Sequence, residues 1–385
     1  MGYIYCVGST NSFGAGNDDL AVVKFAPNGT RLWNTTWGGS GDEHGYGIAL
    51  DSAGYIYCVG FTDSFGAGFR DLVVVKFASN GTRLWNTTWG GSGDEIGNGI
   101  ALDSAGYIYC VGFTDSFGAG NDDLAVVKFA SNGTRLWNTT WGGSGYEHGY
   151  GVALDSAGYI YCAGSTSSFG TSFKDLAVVK FAPNGTRLWN TTWDCSESED
   201  GFGIALDSTG YIYCIGSIFS FVSGNGDLVL VKFAPNGTRL WNTTWGGSGY
   251  DVGLGIALDS MGYIYCVGYT NSFGAGNDDF AVVKFTPNGI RLWNTMWGGS
   301  GDEHGYGIAL DSANCLYCVG ITTSFGAGSN DWVMIKFQVM EIPATIPCFN
   351  WNLLFIVLTA ILMIKICDKL FSPKKQDSKR LFSFI

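Results

Sequence analysis

The sequence has little proline, little histidine and few charged residues. Of 385 residues, 7 are proline, 3 are histidine and 14% are charged, whereas 46% are apolar. A chain so apolar and so weakly charged can bury a sizeable core, which argues against intrinsic disorder. Glycine is abundant, at 59 residues, but it does not recur at every third position, so a collagen-like chain is excluded as well.

The common motifs of catalytic and cofactor sites are also missing. The sequence shows no Ser-His-Asp ordering, phosphate-binding loop, paired-carboxylate motif or EF-hand pattern. A quinone cofactor would need a vicinal cysteine pair or a basic pocket residue, and neither stands out. We therefore expect no enzyme, no cofactor and no metal ion, with weak calcium binding by Asp18 and Asp19 as an open alternative.

What the sequence does contain is a regular repeat. One pentapeptide, Gly-Tyr-Ile-Tyr-Cys, recurs every 52 residues without an insertion or deletion, and a degraded copy occupies residues 314–318. Such a period predicts an array in which each unit buries its faces against its neighbours. The intact copies begin at Gly2, Gly54, Gly106, Gly158, Gly210 and Gly262.

The second copy of the unit predicts four short strands. Residues 55–59 and 72–77 are apolar on both faces, which is typical of strands buried between two layers. Asn80-Gly81 predicts a hairpin turn, because both residues tolerate positive φ. A strand with two tryptophans follows at 83–89, and the fourth strand, 99–103, has the smallest side chains. Four antiparallel strands of this length form one blade of a β-propeller.

We predict an all-β fold, a seven-bladed β-propeller formed by residues 1–338. The small-residue strand should lie near the axis and the tryptophan strand at the outer edge. Counting strand types gives 26 strands rather than the 28 of seven complete blades, so blade one should lack its inner strand and blade seven its outer strand. A six-bladed ring, in which Gly307–Asp311 completes blade one, is the alternative, and a β-helix fits the long unit less well.

Two stretches of the unit point to a known family. They are Asp-Leu-Ala-Val-Val-Lys-Phe-Ala-Pro-Asn-Gly-Thr-Arg-Leu-Trp-Asn-Thr-Thr-Trp-Gly-Gly-Ser-Gly and Gly-Ile-Ala-Leu-Asp-Ser-Ala-Gly-Tyr-Ile-Tyr-Cys-Val-Gly. Over about residues 2–338 the chain resembles the seven-bladed beta-propeller (SBBP) repeat family of prokaryotic surface proteins. The resemblance implies the propeller fold and a surface location, but it implies no particular activity, because one fold carries many functions.

The chain changes character after the repeats. We predict a linker at 339–348, a transmembrane helix at 349–367 and a cytoplasmic tail at 368–385. The apolar run Ile346–Ile364 has 19 residues, close to the roughly 20 that span a bilayer. Since basic residues favour the cytoplasmic side, the propeller should be extracellular and the protein a single-pass protein of the cell membrane. The basic residues of the tail are Lys369, Lys374, Lys375, Lys379 and Arg380.

The start of the sequence and the charge of the repeats bear on where the protein is located and on what it binds. Met1 stands directly before Gly2, within a repeat and without a signal peptide, so we expect a native N-terminal segment upstream. Six of the 21 basic and two of the 33 acidic residues lie at or after Ile346, which leaves 15 basic and 31 acidic residues before it. That balance argues against a nucleic-acid partner.

The repeat also multiplies cysteines and asparagines. Each unit carries one cysteine, for example Cys58, and we expect these to be buried small residues, because equivalent positions on adjacent blades lie roughly 10 Å apart, too far for a disulfide. Asparagines in Asn-x-Ser/Thr are candidate glycosylation sites, although Asn-Gly is also simply a good turn. They are Asn28, Asn34, Asn80, Asn86, Asn132, Asn138, Asn184, Asn190, Asn236 and Asn242.

The three histidines, His44, His148 and His304, share one position of the unit. Together with Asp42 and Glu43, His44 could bind a metal ion. Carboxylates in a glycine-rich loop are usually solvated, however, so we expect no metal there.

The symmetry breaks in one unit, where an acidic segment at 193–200 and an apolar one at 217–222 replace the usual loops. These segments form a candidate partner patch, with neutral drift of a redundant repeat as the alternative. We expect a binding, adhesion or protein-interaction scaffold for an unknown protein or glycan at the cell surface. An extracellular lyase or hydrolase with its site at the central channel is the alternative. The patch consists of Asp194, Cys195, Glu197, Glu199, Asp200, Phe219 and Phe221.

Overall fold

The chain folds into a ring of seven antiparallel sheets. The computed structural model describes residues 2–171, 173–195, 197–220 and 225–338. The predicted linker, transmembrane helix and tail, at 339–385, lie outside the described residues. Within the described ranges, no helix has the length and apolar character needed to span a bilayer.

Five sheets have four strands, and the first and last have three. The first sheet contains β1 (Ile4–Thr10), β2 (Asp19–Phe25) and β3 (Arg31–Trp37). The second contains β4 (Glu43–Leu50), β5 (Ile56–Thr62), β6 (Asp71–Phe77) and β7 (Arg83–Trp89); the third contains β8 (Glu95–Leu102), β9 (Ile108–Thr114), β10 (Asp123–Phe129) and β11 (Arg135–Trp141). The fourth contains β12 (Glu147–Leu154), β13 (Ile160–Thr166), β14 (Asp175–Phe181) and β15 (Arg187–Trp193); the fifth contains β16 (Ser198–Leu206), β17 (Ile212–Phe219), β18 (Gly226–Phe233) and β19 (Arg239–Trp245). The sixth contains β20 (Asp251–Leu258), β21 (Ile264–Thr270), β22 (Asp279–Phe285) and β23 (Arg291–Trp297); the seventh contains β24 (Glu303–Leu310), β25 (Cys315–Thr322) and β26 (Asp331–Gln338).

Within a complete sheet the strands lie in chain order, from the small-residue strand to the tryptophan strand. The small-residue strands of neighbouring sheets contact each other, as β4 does with β8 and β8 with β12. These strands therefore surround the axis, which confirms the predicted inner and outer positions. The tight hairpin between β6 and β7 uses Gly81 at φ 87°, and the Gly81 N–H donates to the Ala78 carbonyl at 2.9 Å.

The apolar cores lie between the blades. On β6, Leu72 and Val74 face the third sheet, whereas Val73 and Val75 face the first. The apolar side chains of such a strand are thus buried on both faces, which explains why the strand is apolar on both faces. The repeat cysteines from Cys6 to Cys318 are buried and unpaired, as predicted.

The inner strand is longer than the sequence predicts. β8 begins at Glu95, not at 99, and its register shifts between Gly97 and Gly99. A Cβ on Gly97 would lie 2.5 Å from Val59 Cγ2, so glycine is required by close packing there. The Gly-x-Gly sequence, typical of a loop, is here a β-bulge within a strand.

One expectation about carboxylates is therefore wrong. Glu43 is the first residue of β4 and is fully buried, rather than solvated in a loop. Asp19, the first residue of β2, is likewise buried and only 1% exposed. Both side chains are enclosed because the neighbouring blade covers them, a contact that the local sequence does not display.

The ring closes as seven blades through the contact of the last sheet with the first. Trp332 and Met334 pack with Cys6 and Phe25, and Lys336 Nζ donates to the Pro27 carbonyl at 3.3 Å. β24 pairs with β25 of its own sheet, so the six-bladed alternative is wrong. Among the described residues there are 26 strands, as predicted, and there blade one lacks its inner strand and blade seven its outer strand.

Replacement of Trp332 by alanine should weaken ring closure. The indole lies against the Gly8 backbone and is half-buried, so the free energy of unfolding should fall by about 2–3 kcal/mol, less than for a fully buried tryptophan. Urea unfolding of the full chain measures this loss. Trp332→Leu introduces the residue found at this position in five other units and should cost clearly less; an equal loss for both variants would contradict the packing argument.

Candidate functional site

A ring of bulge residues surrounds the axis at one end of the propeller. In each inner strand the bulge places one side chain outside the ladder, as Tyr46 between Gly45 and Gly47. Neighbouring bulges are close, because a Cβ on Gly47 would lie 3.1 Å from the Asn98 carbonyl oxygen. We call these residues the mouth ring: Tyr46, Asn98, Tyr150, Phe202, Leu254 and Tyr306.

Each histidine lies two residues before a mouth-ring tyrosine, and its Nε2 contacts an aspartate carboxylate. In His148 and His304 the Nδ1 atom also contacts that tyrosine's hydroxyl. His148 Nε2 lies 2.7 Å from Asp122 Oδ2 and Nδ1 lies 3.2 Å from the Tyr150 hydroxyl. Its ring stacks on Phe113 with centroids 4.4 Å apart. His304 repeats the arrangement with Asp278, Tyr306 and Tyr269, and His44 repeats it with Asp18 and Phe61.

The mouth ring combines aromatic faces with hydrogen-bonding groups. Tyr150 and Phe202 meet edge to face at 5.1 Å. Burial, and next the negative charge of Asp200, raises the pKa of the Tyr150 hydroxyl above its ordinary value of 10.0. The hydroxyl therefore keeps its proton and acts as a hydrogen-bond donor. Tyr46 and Tyr306 are each 49% exposed, so their ring faces are open to a ligand.

Pairs of buried carboxylates lie at the blade interfaces. Asp123, 1% exposed, and Glu147, fully buried, both approach Gly142. A Cβ on Gly142 would lie 1.9 Å from Asp123 Oδ1 and 2.6 Å from Glu147 Oε2, so a glycine is required there. Burial, and to a smaller extent Glu147, raises the pKa of Asp123 above 3.8, against the opposing hydrogen bonds from Gly120 and Ala119.

The structure brings together only part of the partner patch predicted from the sequence. Asp194 and Glu199 converge with Asp175, and one ligand oxygen from each lies within 4.8 Å of the others. Cys195 Sγ donates to Glu199 Oε1 at 2.9 Å. Glu199 is fully buried, so the expectation of an open acidic loop is wrong for this residue. Asp175 was missed by sequence reasoning, although its fixed distance of 24 residues before each glutamate was the available signal.

The remaining patch residues point elsewhere. Asp200 pairs with Lys174 at 3.5 Å and lies beside the mouth ring. Glu197 accepts a hydrogen bond from Ser220 at 3.2 Å. Phe219 stacks on Tyr250 with centroids 5.7 Å apart, and Phe221 lies outside the described residues.

The turn asparagines lie at the opposite end of the propeller from the mouth ring. Asn28 is exposed in the β2–β3 turn, and its Oδ1 accepts a hydrogen bond from the Thr30 N–H at 3.1 Å. Asn34, in β3, is exposed as well. A glycan on either would leave the mouth ring free, and glycosylation stays a prediction.

A family model described as beta-propeller repeat matches residues 141–170 and 244–274. Each matched segment runs from the end of one tryptophan strand through the next inner strand to its partner. The chain therefore contains beta-propeller repeats of this family. This agrees with the seven-bladed ring and with the resemblance found in the sequence.

Individual proteins similar to this chain have low sequence identity to it. Uncharacterized WD repeat-containing protein L264 of Acanthamoeba polyphaga mimivirus is 23% identical, over 81% of this chain and 32% of that protein. The beta-propeller repeat chain thus spans about a third of the length of this curated relative. Among solved structures, a protein of unknown function from Bacteroides caccae is 12% identical with a TM-score of 0.45, over 76% of this chain and 93% of that one. The gluconolactonase XC5397 from Xanthomonas campestris is 13% identical with a TM-score of 0.43, over 76% and 86%.

Asp123→Asn should stabilise the protein at neutral pH. The amide oxygen can still accept from Ala119 and Gly120, and one buried negative charge is removed, so we expect a gain on the order of 1 kcal/mol. In the wild type the folded state holds this proton more tightly than the unfolded state. Its stability therefore rises as pH falls from neutral through the raised pKa towards 3.8, and the variant should show a shallower rise.

Urea unfolding between pH 7 and pH 4 measures both effects. Asp331→Asn is the matched control, since the same repeat position there has no following glutamate within the described ring. An equal change in the pH dependence for both variants would contradict the role assigned to the carboxylate pair.

Proposed function

We propose that this beta-propeller repeat protein is a non-catalytic scaffold that binds a neutral glycan at the mouth ring. The observation that carries the proposal is the ring itself, with half-exposed tyrosine faces next to amide and hydroxyl groups. A sugar ring has an apolar face that stacks on an aromatic side chain and hydroxyl edges that need donors and acceptors. The acidic balance of the repeats disfavours an anionic ligand.

The same geometry supports binding over turnover. A tyrosine that keeps its proton is a poor nucleophile, and the raised pKa of Tyr150 keeps it protonated. The observation in favour of the enzymatic alternative, a lyase or hydrolase, is the chain Asp122–His148–Tyr150 at the channel mouth. Such a chain resembles the base-and-orienting-group arrangement of many active sites. Turnover of a bound glycan that is abolished by His148→Ala would favour this alternative.

Tyr46→Ala combined with Tyr306→Ala should weaken glycan binding at least about tenfold, the effect of losing roughly 1.4 kcal/mol of stacking. Binding of the full chain in detergent to a glycan array measures it. Tyr55→Ala and Tyr107→Ala are matched controls, because these tyrosines are 39% and 38% exposed but lie at the opposite end of the blades. Equal losses in both pairs, or binding to protein ligands only, would contradict the proposal.

We also propose that the scaffold is anchored in the cell membrane, with the propeller outside. The support is the apolar run Ile346–Ile364 and the basic residues that follow it. A cell-surface location suits a glycan-binding scaffold, because its ligands would then be in reach.

Deletion of 349–367 should release the chain from membranes, because the deletion removes most of the apolar length that spans the bilayer. Membrane fractionation with a carbonate wash measures the effect. The full chain should stay with the membrane, and protease added to intact cells should degrade its propeller epitopes. A full chain that is soluble, or protected from protease in intact cells, would contradict the proposed location.

A further inference from the structure

Six blade interfaces carry two acidic residues at the same two positions of the unit, so the interfaces can be compared position by position. At five of them a glycine lies where both carboxylates converge, as Gly38 does between Asp19 and Glu43. At the first interface both oxygens of the glutamate are hydrogen-bonded: Glu43 Oε1 accepts from Thr62 Oγ1 at 2.7 Å, and Oε2 accepts from the Gly39 N–H. The five glycines are Gly38, Gly90, Gly142, Gly246 and Gly298.

The fourth interface differs at three of these positions. Asp194 replaces the converging glycine, Cys195 replaces the next glycine, and Ile218 replaces the threonine that donates to the glutamate. One change adds a carboxylate at the point of convergence, and another removes a hydroxyl donor from the same carboxylate pair. The third change, Cys195, supplies a thiol that donates to Glu199 Oε1 in place of the lost hydroxyl, so the net change is one more carboxylate.

The result is a cluster of three carboxylates around a buried, unsatisfied oxygen. Asp175 is 1% exposed and Glu199 is fully buried. Glu199 Oε2 has no hydrogen-bond partner among the described residues, whereas the same atom accepts an N–H at the other glutamate interfaces. A buried carboxylate oxygen without a donor is costly, and a cation would supply the missing interaction.

The fifth interface also departs from the repeat, but its substituted carboxylate keeps its hydrogen bonds. At the fifth interface Asp251 replaces glutamate, but its carboxylate still accepts from Thr270, from Ser272 at 2.6 Å and from the Gly247 N–H at 2.8 Å. Substitution alone therefore need not leave the site without donors. The fourth interface instead exchanges a hydroxyl donor for a thiol and gains a third carboxylate.

We propose that Asp175, Asp194 and Glu199 form a calcium-binding site between the fourth and fifth blades. Calcium takes six to eight oxygen ligands at about 2.3–2.6 Å, so oxygens on opposite sides of the ion lie roughly 5 Å apart. One oxygen from each of the three carboxylates lies within 4.8 Å of the others, so a single ion can contact all three. Three carboxylates, each able to bind through two oxygens, supply most of the ligand set, and water can complete it.

Cys195 is a positioning residue rather than a ligand. Its thiol donates to Glu199 Oε1 and so restrains the position of that carboxylate. The Thr171 hydroxyl in turn donates to Asp194 Oδ2.

Terbium luminescence tests the site directly, because the buried Trp193 adjoins Asp194 and can sensitise a bound ion. Titration of the full chain in detergent with Tb³⁺ should show one site per chain, displaced by Ca²⁺. We expect an affinity for Ca²⁺ in the range of about 10⁻⁴–10⁻³ M that is typical of extracellular modules. Saturating Ca²⁺ should also raise the melting temperature, because it binds the folded state only.

Asp194→Gly restores the residue of the other five interfaces, so the variant should fold. It should bind Ca²⁺ at least about tenfold more weakly and lose the calcium-dependent rise in melting temperature. Ile218→Thr returns a donor to Glu199 and should weaken binding by a smaller factor. Unchanged binding in Asp194→Gly, no binding in the wild type up to millimolar Ca²⁺, or Zn²⁺ binding that Cys195→Gly abolishes would each overturn the proposal.

Discussion

The whole molecule depends on apolar contact between neighbouring blades. A single blade has both faces apolar, as the alternating partners of Leu72, Val73, Val74 and Val75 show, and it cannot bury them alone. Closure of the ring gives the terminal blades neighbours as well, through Trp332 and Met334. Each unit of 52 residues forms nearly the same interface with its neighbours. An insertion within a strand would shift the side chains that follow it out of these contacts.

The same interfaces carry the polar features of interest. The buried carboxylates sit where the loop of one blade meets the inner strand of the next, as Asp123 and Glu147 do at Gly142. The mouth ring depends on the adjacent bulge, which places side chains such as Tyr150 at the axis. Packing and function are thus coupled: the glycines that allow close approach of the blades also create the space in which side chains of one unit can gather as ligands.

Much of the fold could be predicted from the sequence, and less of the candidate site. Strand types and their order follow from period-two patterning and turn residues, which act over a few residues. The role of Glu43 could not be predicted that way, since a glutamate after glycines and aspartate is typical of a solvated loop, and only the neighbouring blade buries it. Similarly, Asp194 and Glu199 were singled out because their segment breaks the repeat, but Asp175 joins them from another strand.

The sequence by itself determined the repeat, the blade, the number of strands and the missing strand at each end, because these depend on local hydrogen-bonding and apolar patterns. Only the tertiary structure decided that the ring closes at seven blades, that the bulge residues meet at the axis, and that three carboxylates converge between the fourth and fifth blades. The physical reason is distance along the chain. Residues such as Cys6 and Trp332, or Asp175 and Glu199, interact across separate strands, and their approach is set by how whole blades pack against each other.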